Sequence, residues 1–278
     1  MIRIIPRLDI KNGILIKGIN LEGLRVLGDP YEYAQHYYKN FADEIYYVDN
    51  VASLYGTNNL TNFVKKTSKN LFIPLTVGGG IRTIKDIEKM LISGADKVSI
   101  NTAAIENPKF IEEASKKFGS SNISVSVEAI KIKNDYYISK CCGRDLIELN
   151  PIEWCKICEN LGAGEIILTS VNHEGLMQGF DKKLIRKISN KLSIPLIVHG
   201  GCGSYMDVLE VIKKNKNISG ISIASFFHYD YLNISKIKKT KIGNCSFLLN
   251  YKKNRKKFKN NLINLKKFLK KNNVKVRL

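Results

Sequence analysis

Two acidic residues occupy matching places in the two halves of the sequence and could do acid–base chemistry. Asp9 follows the segment IIPRL, and Glu128 follows the segment ISVSV, 119 residues later. If both segments are strands of one closed barrel, the carboxylates end strands 1 and 5 and face each other across its mouth. Opposed carboxylates can act as general acid and general base on a bound substrate. The alternative is a pair of carboxylates satisfied by backbone amides.

Two glycine-rich turns are suited to bind phosphate. Gly78-Gly79-Gly80 and Gly200-Gly201-Cys202-Gly203 each follow an apolar run, where glycines let backbone N–H groups approach an anion closely. Each turn would lie beside the end of the next strand, at Asn101-Thr102 in the first half and Ala224-Ser225 in the second. One glycine run could be only a tight turn, but two matched runs predict two phosphate cradles. The implied substrate has a phosphate at each end and its middle between the two carboxylates.

Four charged residues stand at the opposite ends of the predicted strands. Arg3, Glu44, Lys97 and Glu165 lie at the starts of strands 1, 2, 4 and 6. Burying charges at a barrel floor is costly unless they pair. Two bases and two acids could close a ring, either as a salt-bridge plug or as a gate leading into the barrel.

Short apolar runs alternate along the chain with longer amphipathic ones. The runs rich in Ile and Val are typical of buried parallel strands and predict strands at residues 3–9, 45–50, 73–77, 97–101, 123–128, 165–170, 194–198 and 220–224. The amphipathic runs predict helices at residues 31–40, 59–69, 83–93, 107–118, 151–161, 182–191, 204–215 and 259–271. Pro30, Pro108 and Pro151 stand near helix starts, where a missing N–H costs little.

The sequence repeats itself at an offset near 121 residues. The pattern IPLxVxGG at 73–80 recurs at 194–201, and AxEI at 42–45 recurs at 163–166. Each half is about 120 residues, which is too long for a solenoid repeat. Eight β–α pairs in two similar halves predict an α/β fold of the (β/α)8 TIM-barrel type rather than an open doubly wound sheet. We expect one barrel over residues 1–278, with half-barrels of about 1–120 and 121–235.

The composition excludes several classes of protein. With 44% hydrophobic and 25% charged residues, the chain is an ordinary globular mixture, which excludes collagen-like and wholly disordered chains. No apolar run is long enough to span a membrane, and the first residues lack the features of a secretion signal. Six cysteines among 278 residues do not make a disulfide scaffold. A reducing, cytoplasmic setting without membrane contact is therefore expected.

The net charge of +20 is concentrated near the C-terminus. Residues 231–278 contain 16 Lys or Arg and no acidic residue, whereas the first 230 residues hold 29 basic and 25 acidic ones. A nearly neutral body with a basic tail favours a solvated, lysine-rich helix over a nucleic-acid-binding surface. Cys155 and Cys158 are spaced as CxxC on a predicted helix, but no second CxxC or nearby His pair accompanies them. The sequence indicates no metal or organic cofactor.

Long stretches of the chain resemble the cyclase subunit of imidazole glycerol phosphate synthase. The segments that carry the resemblance are RIIPRLDIKNG, FIPLTVGGGIRT, GADKVSINTAAIENP, GAGEIILTS and the terminal VRL. The resemblance implies a (β/α)8 barrel and a glutaminase partner docked on the barrel floor as a heterodimer. Ammonia from the partner would pass through the barrel and attack a phosphoribulosyl-formimino-aminoimidazole-carboxamide ribonucleotide, a bisphosphate. Ring closure and lysis would give imidazole glycerol phosphate and AICAR ribonucleotide.

The resemblance also implies roles for individual residues. Asp9 matches a catalytic aspartate, Glu128 stands where the second one is usual, and Asp96 matches an aspartate at the glutaminase interface. The positions that match substrate- or phosphate-binding residues are Lys17, Asp49, Gly79, Gly80, Asn101, Thr102, Glu174, Gly175, Gly200, Gly201, Ala224 and Ser225. Lys17 would belong to a flexible first loop. The gate positions are Arg3, Glu44, Lys97 and Glu165, all unchanged.

Nearly all departures from the family pattern fall on the substrate face. Arg7 replaces the usual cysteine, Ile130 replaces a lysine, and Glu128 lengthens the second catalytic acid by one methylene. The usual DRDGT loop reads Asn172-His173-Glu174-Gly175-Leu176, and His199 replaces a small residue. A catalytic group misplaced by about 1 Å can cost on the order of a hundredfold in rate. These changes suggest retained ammonia delivery with an acceptor that could be altered.

Three functions stay open on the sequence alone. The first is the histidine-pathway cyclase, a lyase. The second is a paralogue that passes ammonia to a sugar, forming an amidino or amide group in surface-polysaccharide biosynthesis. The third is a non-catalytic barrel that activates a glutaminase. The two cradles discriminate between these functions, because a scaffold needs no bisphosphate and a sugar enzyme could use only one cradle. The role of a basic insertion at about 236–260, before the last helix, is open as well.

Overall fold

Eight parallel strands form a closed barrel in this computed structural model, which describes residues 1–52, 60–232, 248 and 261–278. The strands are β1 (Arg3–Lys11), β2 (Ile14–Ile19), β3 (Glu22–Gly28), β4 (Ile45–Asp49), β5 (Leu75–Gly78), β6 (Lys97–Ile100), β7 (Ile123–Ile132), β8 (Asp135–Lys140), β9 (Asp145–Ile147), β10 (Glu165–Ser170), β11 (Leu196–His199) and β12 (Ile218–Ile223). The helices are α1 (Pro30–Lys39), α2 (Thr61–Ser68), α3 (Ile84–Ile92), α4 (Thr102–Glu106), α5 (Lys109–Phe118), α6 (Pro151–Asn160), α7 (Lys182–Ser189), α8 (Tyr205–Lys214), α9 (Ser225–Tyr231) and α10 (Leu262–Lys271).

The ring of barrel strands runs β1-β4-β5-β6-β7-β10-β11-β12 and closes where β12 pairs with β1. The predicted (β/α)8 barrel is therefore confirmed. A small apolar layer lies inside the ring and contains Ile5, Tyr46, Val48, Ile167 and Ile197. The larger apolar core fills the space between the strands and the surrounding helices. Both layers follow from strands that are buried on both faces.

Two hairpins that the sequence analysis missed stand over the barrel mouth. The sequence predicted that the first and fifth barrel strands end at Asp9 and Glu128. Instead, β1 continues to Lys11 and β7 continues to Ile132. Each then pairs antiparallel with a hairpin strand, so that Asp9 lies opposite Ile16. The first hairpin turns at an Asn-Gly pair, residues 12–13, which both have positive φ and suit a tight turn.

The two halves use the same local geometry at equivalent positions. Helices α3 and α8 begin with capping boxes, in which Thr83 pairs with Asp86 and Ser204 pairs with Asp207, 121 residues later. The glycines that follow β5 and β11 also match, since Gly79 and Gly200 both have φ of 94°. These matches agree with two similar half-barrels, which remains a prediction from the sequence.

The described C-terminal helix is tied to the floor of the barrel. Lys266 on α10 is fully buried, forms an ion pair with Asp43 at 2.7 Å, and donates to the carbonyl of Phe41. The predicted insertion at 236–260 lies outside the described residues except for Leu248, which is buried in the core. Within the described part of the chain, no helix is long and apolar enough to cross a membrane.

Candidate active site

Asp9 and Glu128 lie on opposite sides of the barrel mouth, as predicted. They belong to β1 and β7, which are four strands apart in either direction around the ring. Asp9 is 1% exposed and Glu128 is 5% exposed. Only Glu128 lines an open cleft, because other side chains cover Asp9. The two carboxyl groups therefore occupy different environments.

A buried arginine holds Asp9 from below. Arg7 lies two residues before Asp9 on β1, so that both side chains point into the barrel. Its Nε atom donates to Asp9 Oδ1 at 2.9 Å, and Nη1 donates to Thr169 Oγ1 at 3.3 Å. The guanidinium carbon is 5.6 Å from the centre of the Tyr46 ring. Arg7 is only 2% exposed, so this charge is fully enclosed by the protein.

A buried lysine holds Asp9 from above. Lys17, which the resemblance assigns to the first loop, lies on strand β2 of the hairpin that follows β1 and is 1% exposed. Its ammonium group contacts Asp9 Oδ2 at 3.3 Å and forms a second ion pair with Glu174. Glu174 also accepts from the backbone N–H of Leu21, which fixes the β2–β3 hairpin over the mouth. Pairing of β2 with β1 brings Lys17 over Asp9.

The two carboxyl groups have opposite pKa shifts. Burial alone would raise the pKa of Asp9, but the charges of Arg7 and Lys17 outweigh it and hold this pKa well below its usual range. Burial raises the pKa of Glu128 to about 7, against the opposing effect of Arg7. Asp9 is therefore ionised at neutral pH, whereas Glu128 is poised to carry a proton.

The β8–β9 hairpin contacts Glu128 from its side of the mouth. The backbone N–H of Gly143 donates to Glu128 Oε2 at 3.0 Å. Three consecutive turn residues, Cys141, Cys142 and Gly143, have positive φ values, which aim this N–H inward. Cys142 donates to the carbonyl of Asn50 on the facing wall at 3.0 Å. The hairpin thus positions the Glu128 carboxyl and forms part of the cleft wall.

The first predicted phosphate cradle lines the same cleft as Glu128. Gly79, Gly80, Asn101 and Thr102 meet there, together with Asp49. Asp49 Oδ1 accepts from the N–H groups of Val51 and Ala52, which fixes the loop after β4. Gly79 is required, because a Cβ there would lie 2.3 Å from the carbonyl oxygen of Asp49. The buried Oδ1 of Asn101 has no hydrogen-bond partner among the described residues, which suits a ligand.

The second predicted cradle lies across the mouth. A separate cleft is lined by Glu174, Gly175, Gly200, Gly201, Ala224 and Ser225. Gly201 has φ of 108°, and a Cβ there would lie 2.1 Å from the carbonyl of Gly179. Ser222 Oγ and Ser225 Oγ are buried there without a hydrogen-bond partner among the described residues, and His199 Nε2 faces Glu174 Oε1 at 3.8 Å. Unpaired buried polar atoms around a glycine turn are suited to an anionic ligand.

The four floor residues close the ring predicted from the sequence. Arg3 contacts Glu44 and Glu165, each at 2.7 Å, and Lys97 contacts the same two carboxylates at 3.1 and 3.0 Å. Burial would raise the pKa of Glu165, but Lys97 and Arg3 outweigh it and lower this pKa. Above the ring, the inner apolar layer separates it from Arg7 and the two carboxyl groups. The arrangement allows either a plug or a gate.

Asp96 stands on the same floor but outside the ring. It is exposed, and its Oδ2 accepts from the backbone N–H of Leu75 at 2.8 Å. It lines a surface cleft of about 330 Å³ together with Phe72. This position is accessible to a partner docked on the floor.

The described residues include no group of three or more His, Cys, Asp or Glu side chains placed to hold a metal ion. Cys155 and Cys158 are buried in the apolar core under α6, and burial raises the pKa of both thiols. These two cysteines therefore act as small apolar side chains.

Sequence reasoning missed two contributors to this site. Arg7 was noted as a departure but was not assigned a role, although its i, i+2 spacing from Asp9 places both on one strand face. The N–H donor of Gly143 was also missed. Its signal was the turn CCGR between the alternating segment at 135–140 and the short one at 145–147.

Comparison with known proteins adds to this geometry. A sequence profile described as histidine biosynthesis protein matches residues 3–233. A protein of Legionella pneumophila named imidazole glycerol phosphate synthase subunit HisF is 50% identical over 203 residues, which are 73% of this chain and 96% of that protein. Proteins of the same name from Lactococcus lactis subsp. cremoris strain MG1363 and Methanopyrus kandleri are 43% and 41% identical. These matches cover 87% and 85% of this chain, and 94% and 93% of the relatives.

The fold and the site define a (β/α)8-barrel protein with two opposed carboxyl groups between two anion-suited turns. The profile covers far more than half of the chain, and the relatives exceed 40% identity over most of their length. The chain belongs to the histidine biosynthesis protein family and is similar to the HisF subunits within it.

Proposed function

We propose that Asp9 and Glu128 carry out the ammonia-dependent cyclase reaction of imidazole glycerol phosphate synthase, the lyase of histidine biosynthesis to which this subunit belongs. One observation carries the assignment of the site. Two opposed carboxyl groups with different protonation states lie between two glycine turns, each lined by unpaired polar atoms. A substrate with a phosphate at each end fits both turns and places its reactive middle at the carboxyl groups.

The chemistry needs one group that moves protons and one fixed negative charge. Ammonia adds to the ribulosyl carbonyl, the carbonyl oxygen leaves as water, and the nitrogen then closes on the formimino carbon with release of the AICAR amine. Protonated Glu128 donates to the departing oxygen, accepts a proton from the attacking nitrogen as the ring closes, and passes that proton to the departing AICAR amine; the proton that the ring loses as it becomes aromatic returns Glu128 to its protonated form. A carboxyl with a pKa near 7 is well matched to both steps. Ionised Asp9 stabilises the positive charge that develops on the nitrogen.

We assign the floor ring as the entrance for ammonia. It lies below the inner apolar layer, so that in this proposal ammonia passes the ring, that layer and Arg7 before it reaches the carboxyl groups. Arg3 is the most exposed member, with 25% of its side chain accessible. It contacts both acids, so its removal opens the ring and leaves Lys97 as the one ring cation that contacts Glu44 and Glu165.

Arg3→Ala should uncouple glutamine hydrolysis from product formation. We expect the rate with glutamine and a glutaminase partner to fall at least tenfold, while the rate with free ammonium salt stays within about twofold, because free ammonia can enter from the mouth. Both rates are measured as formation of imidazole glycerol phosphate. Ser219→Ala, which removes only the hydroxyl that Arg3 contacts at 3.1 Å, is the matched control. Equal loss with both nitrogen sources would contradict the gate.

We further propose that a glutaminase docks on the floor of the first half-barrel, in a cytoplasmic heterodimer. Several large apolar side chains are exposed in the segments that precede the floor ends of the strands: Met1 at 76%, Phe41 at 54%, Phe72 at 80% and Ile92 at 80%. Exposed apolar side chains near one another favour a protein interface. Asp96 lines the same surface cleft as Phe72. The described cysteines are all free thiols, which fits the reducing cytoplasm.

Phe72→Asp should weaken this complex without harming the barrel. A charge at the centre of an apolar contact is expected to lower partner affinity at least tenfold. The measurement is co-elution with the glutaminase in size-exclusion chromatography, alongside glutamine- and ammonia-dependent rates. Met206→Asp, at a residue that is 52% exposed on α8, is the control and should leave the complex intact. Unchanged co-elution of Phe72→Asp would place the partner elsewhere.

The proposed reaction is tested with the purified chain, the histidine-pathway bisphosphate and ammonium salt. We expect imidazole glycerol phosphate and AICAR ribonucleotide in equal amounts. A folded protein that releases neither product would overturn the proposal and favour the sugar-amidating paralogue. Stimulation of a glutaminase without any product would instead favour the non-catalytic barrel.

A further inference from the structure

Arg7 places a permanent charge in the enclosed centre of the barrel. Its side chain is 2% exposed and lies between the inner apolar layer and the carboxyl groups of the mouth. Two of its five N–H groups are bonded, one to Asp9 and one to Thr169. A buried, unpaired arginine lowers the stability of the fold by several kcal/mol. The charge of Arg7 therefore affects the ionisation of every titratable group nearby.

We propose that Arg7 is a positioning residue for the cyclase reaction, whose guanidinium holds Asp9 as a fixed carboxylate and thereby leaves Glu128 as the group of the pair that carries a proton. This inference rests on the proposed function and explains how the two carboxyl groups come to differ.

Each oxygen of Asp9 faces a cation, which disfavours a proton on this carboxylate. Arg7 Nε lies 2.9 Å from Oδ1, and Lys17 Nζ lies 3.3 Å from Oδ2. Lys17 also pairs with Glu174, whose pKa is lowered to about 2 because the charge of Lys17 outweighs its burial. Arg7 and Lys17 are thus matched in number by the carboxylates of Asp9 and Glu174. All four groups are buried, so this balance is not relieved by solvent.

Glu128 does not belong to this set of paired charges. Its described contacts are the Gly143 N–H and the side chain of Asn101, and no cation lies within ion-pair distance of it among the described residues. Thr169 accepts a hydrogen bond from Arg7 Nη1, and it pairs with Glu128 across the neighbouring strands β10 and β7. The charge of Arg7 therefore attracts Glu128, but its guanidinium forms its ion pair with Asp9. An ionised Glu128 would add a negative charge that no cation matches.

The neighbouring tyrosine, cysteine and histidine side chains that face the pair are uncharged near neutral pH, whereas two ionisable side chains of opposite sign, Asp49 and Arg82, line the cleft beside Glu128. Burial raises the pKa values of Tyr46 on β4 and Cys142 on the β8–β9 turn. Burial lowers the pKa of His199 on β11 and lowers that of His228 on α9 to about 3. Asp49 lines the cleft beside Glu128 but has its own backbone donors. Removing the charge of Arg7 therefore changes the balance of the whole mouth.

The test compares Arg7→Met, which keeps bulk but removes the charge, with Arg7→Lys, which keeps the charge but loses the fork of donors. The first readout is kcat/KM for the bisphosphate from pH 5.5 to 9 at constant free ammonia, since this parameter reports groups of the free enzyme. Wild type should lose activity as the pH rises through about 7, where Glu128 ionises. In Arg7→Met this loss should move at least one pH unit higher, and a new loss at the acid end should appear as Asp9 becomes protonated. Arg7→Lys should keep the wild-type profile.

A second readout needs no substrate. The infrared band of a protonated carboxyl, assigned to Glu128 by its absence in Glu128→Gln, should disappear in wild type near pH 7 and persist to higher pH in Arg7→Met. If Arg7→Met does not fold, Arg7→Gln, a neutral side chain able to bond Asp9, replaces it. Profiles and bands that are the same in wild type and the neutral variants would overturn the inference. Inactive wild type with the expected band shift would instead overturn the proposed function and leave the charge assignment standing.

Discussion

Asp9→Asn should abolish turnover with either source of nitrogen. The substitution keeps the shape of the side chain but removes the negative charge that stabilises the attacking nitrogen. We expect kcat to fall about 100- to 1000-fold, the usual cost of losing a preorganised electrostatic contact to a developing charge. The measurement is formation of imidazole glycerol phosphate with free ammonium and with glutamine. Equal loss with both sources is expected, because Asp9 acts after the ammonia has arrived.

The same variant should lose stability, because Arg7 and Lys17 then face one fewer carboxylate. Breaking a buried ion pair costs about 3–5 kcal/mol. The double variant Arg7→Met/Asp9→Asn removes a cation together with the anion, and should therefore regain most of the stability while staying inactive. That pair of results separates the catalytic charge from the structural one. An Asp9→Asn protein that turns over within tenfold of wild type would contradict the assigned role.

Glu128→Gln should lose activity without losing stability. Gln resembles the protonated carboxyl in shape and charge but cannot move a proton. We expect kcat to fall about 100- to 10 000-fold, the range attributed to general acid–base catalysis. Glu128→Asp, which restores the usual family length, is the matched control and should remain active. Activity of Glu128→Gln near that of wild type would contradict proton transfer by Glu128.

The difference in stability between Glu128→Gln and wild type should depend on pH. Glu128 has an ordinary pKa of 4.5 when unfolded and about 7 when folded, because burial disfavours its charge. The folded wild type therefore loses stability as the pH rises from about 4.5 to 7, and the loss levels at about 3 kcal/mol. Above pH 7, Glu128→Gln should exceed wild type by up to that amount, and near pH 4 the two should unfold alike. Thermal unfolding at pH 4, 6 and 8 measures the difference.

The sequence predicted the barrel because its signals were regular and redundant. Eight Ile- and Val-rich runs alternated with amphipathic ones, and the IPLxVxGG pattern at 73–80 and 194–201 marked equivalent strands in each half. The floor ring followed from the same reasoning, since Arg3 and its partners all precede or begin strands that meet at one end. The periodic pattern placed these charged residues at the floor ends of the strands. Because burying an unpaired charge is costly, each of them was expected to have a partner of opposite charge.

The parts that could not be predicted depend on contacts between distant segments. Lys17 reads as a loop residue until β2 pairs with β1 and turns its ammonium toward Asp9. Gly143 reads as a turn glycine, and only the register of β8 on β7 brings its N–H to Glu128. The different protonation of the two carboxyl groups is likewise a tertiary effect, because it depends on Arg7 and on burial.

The departures of this chain from the family pattern are mutually consistent in the structure. Arg7 adds a cation beside Asp9, and Glu174 provides a carboxylate for Lys17. His199 is neutral and directs Nε2 into the second cradle, while its Nδ1 lies 3.0 Å from the carbonyl of Ser222. Arg7, Glu174 and His199 are thus connected to one another through Asp9 and Lys17.

The most direct test of this account is the pH dependence of product formation by the wild-type chain with ammonium salt. Imidazole glycerol phosphate is measured from pH 5.5 to 9, and the rate is expressed per free ammonia. The account predicts product formation, with a rate per free ammonia that is highest below about pH 7 and falls as Glu128 loses its proton. A rate per free ammonia that stays constant or rises to pH 9, or a folded protein that forms no product, would contradict it.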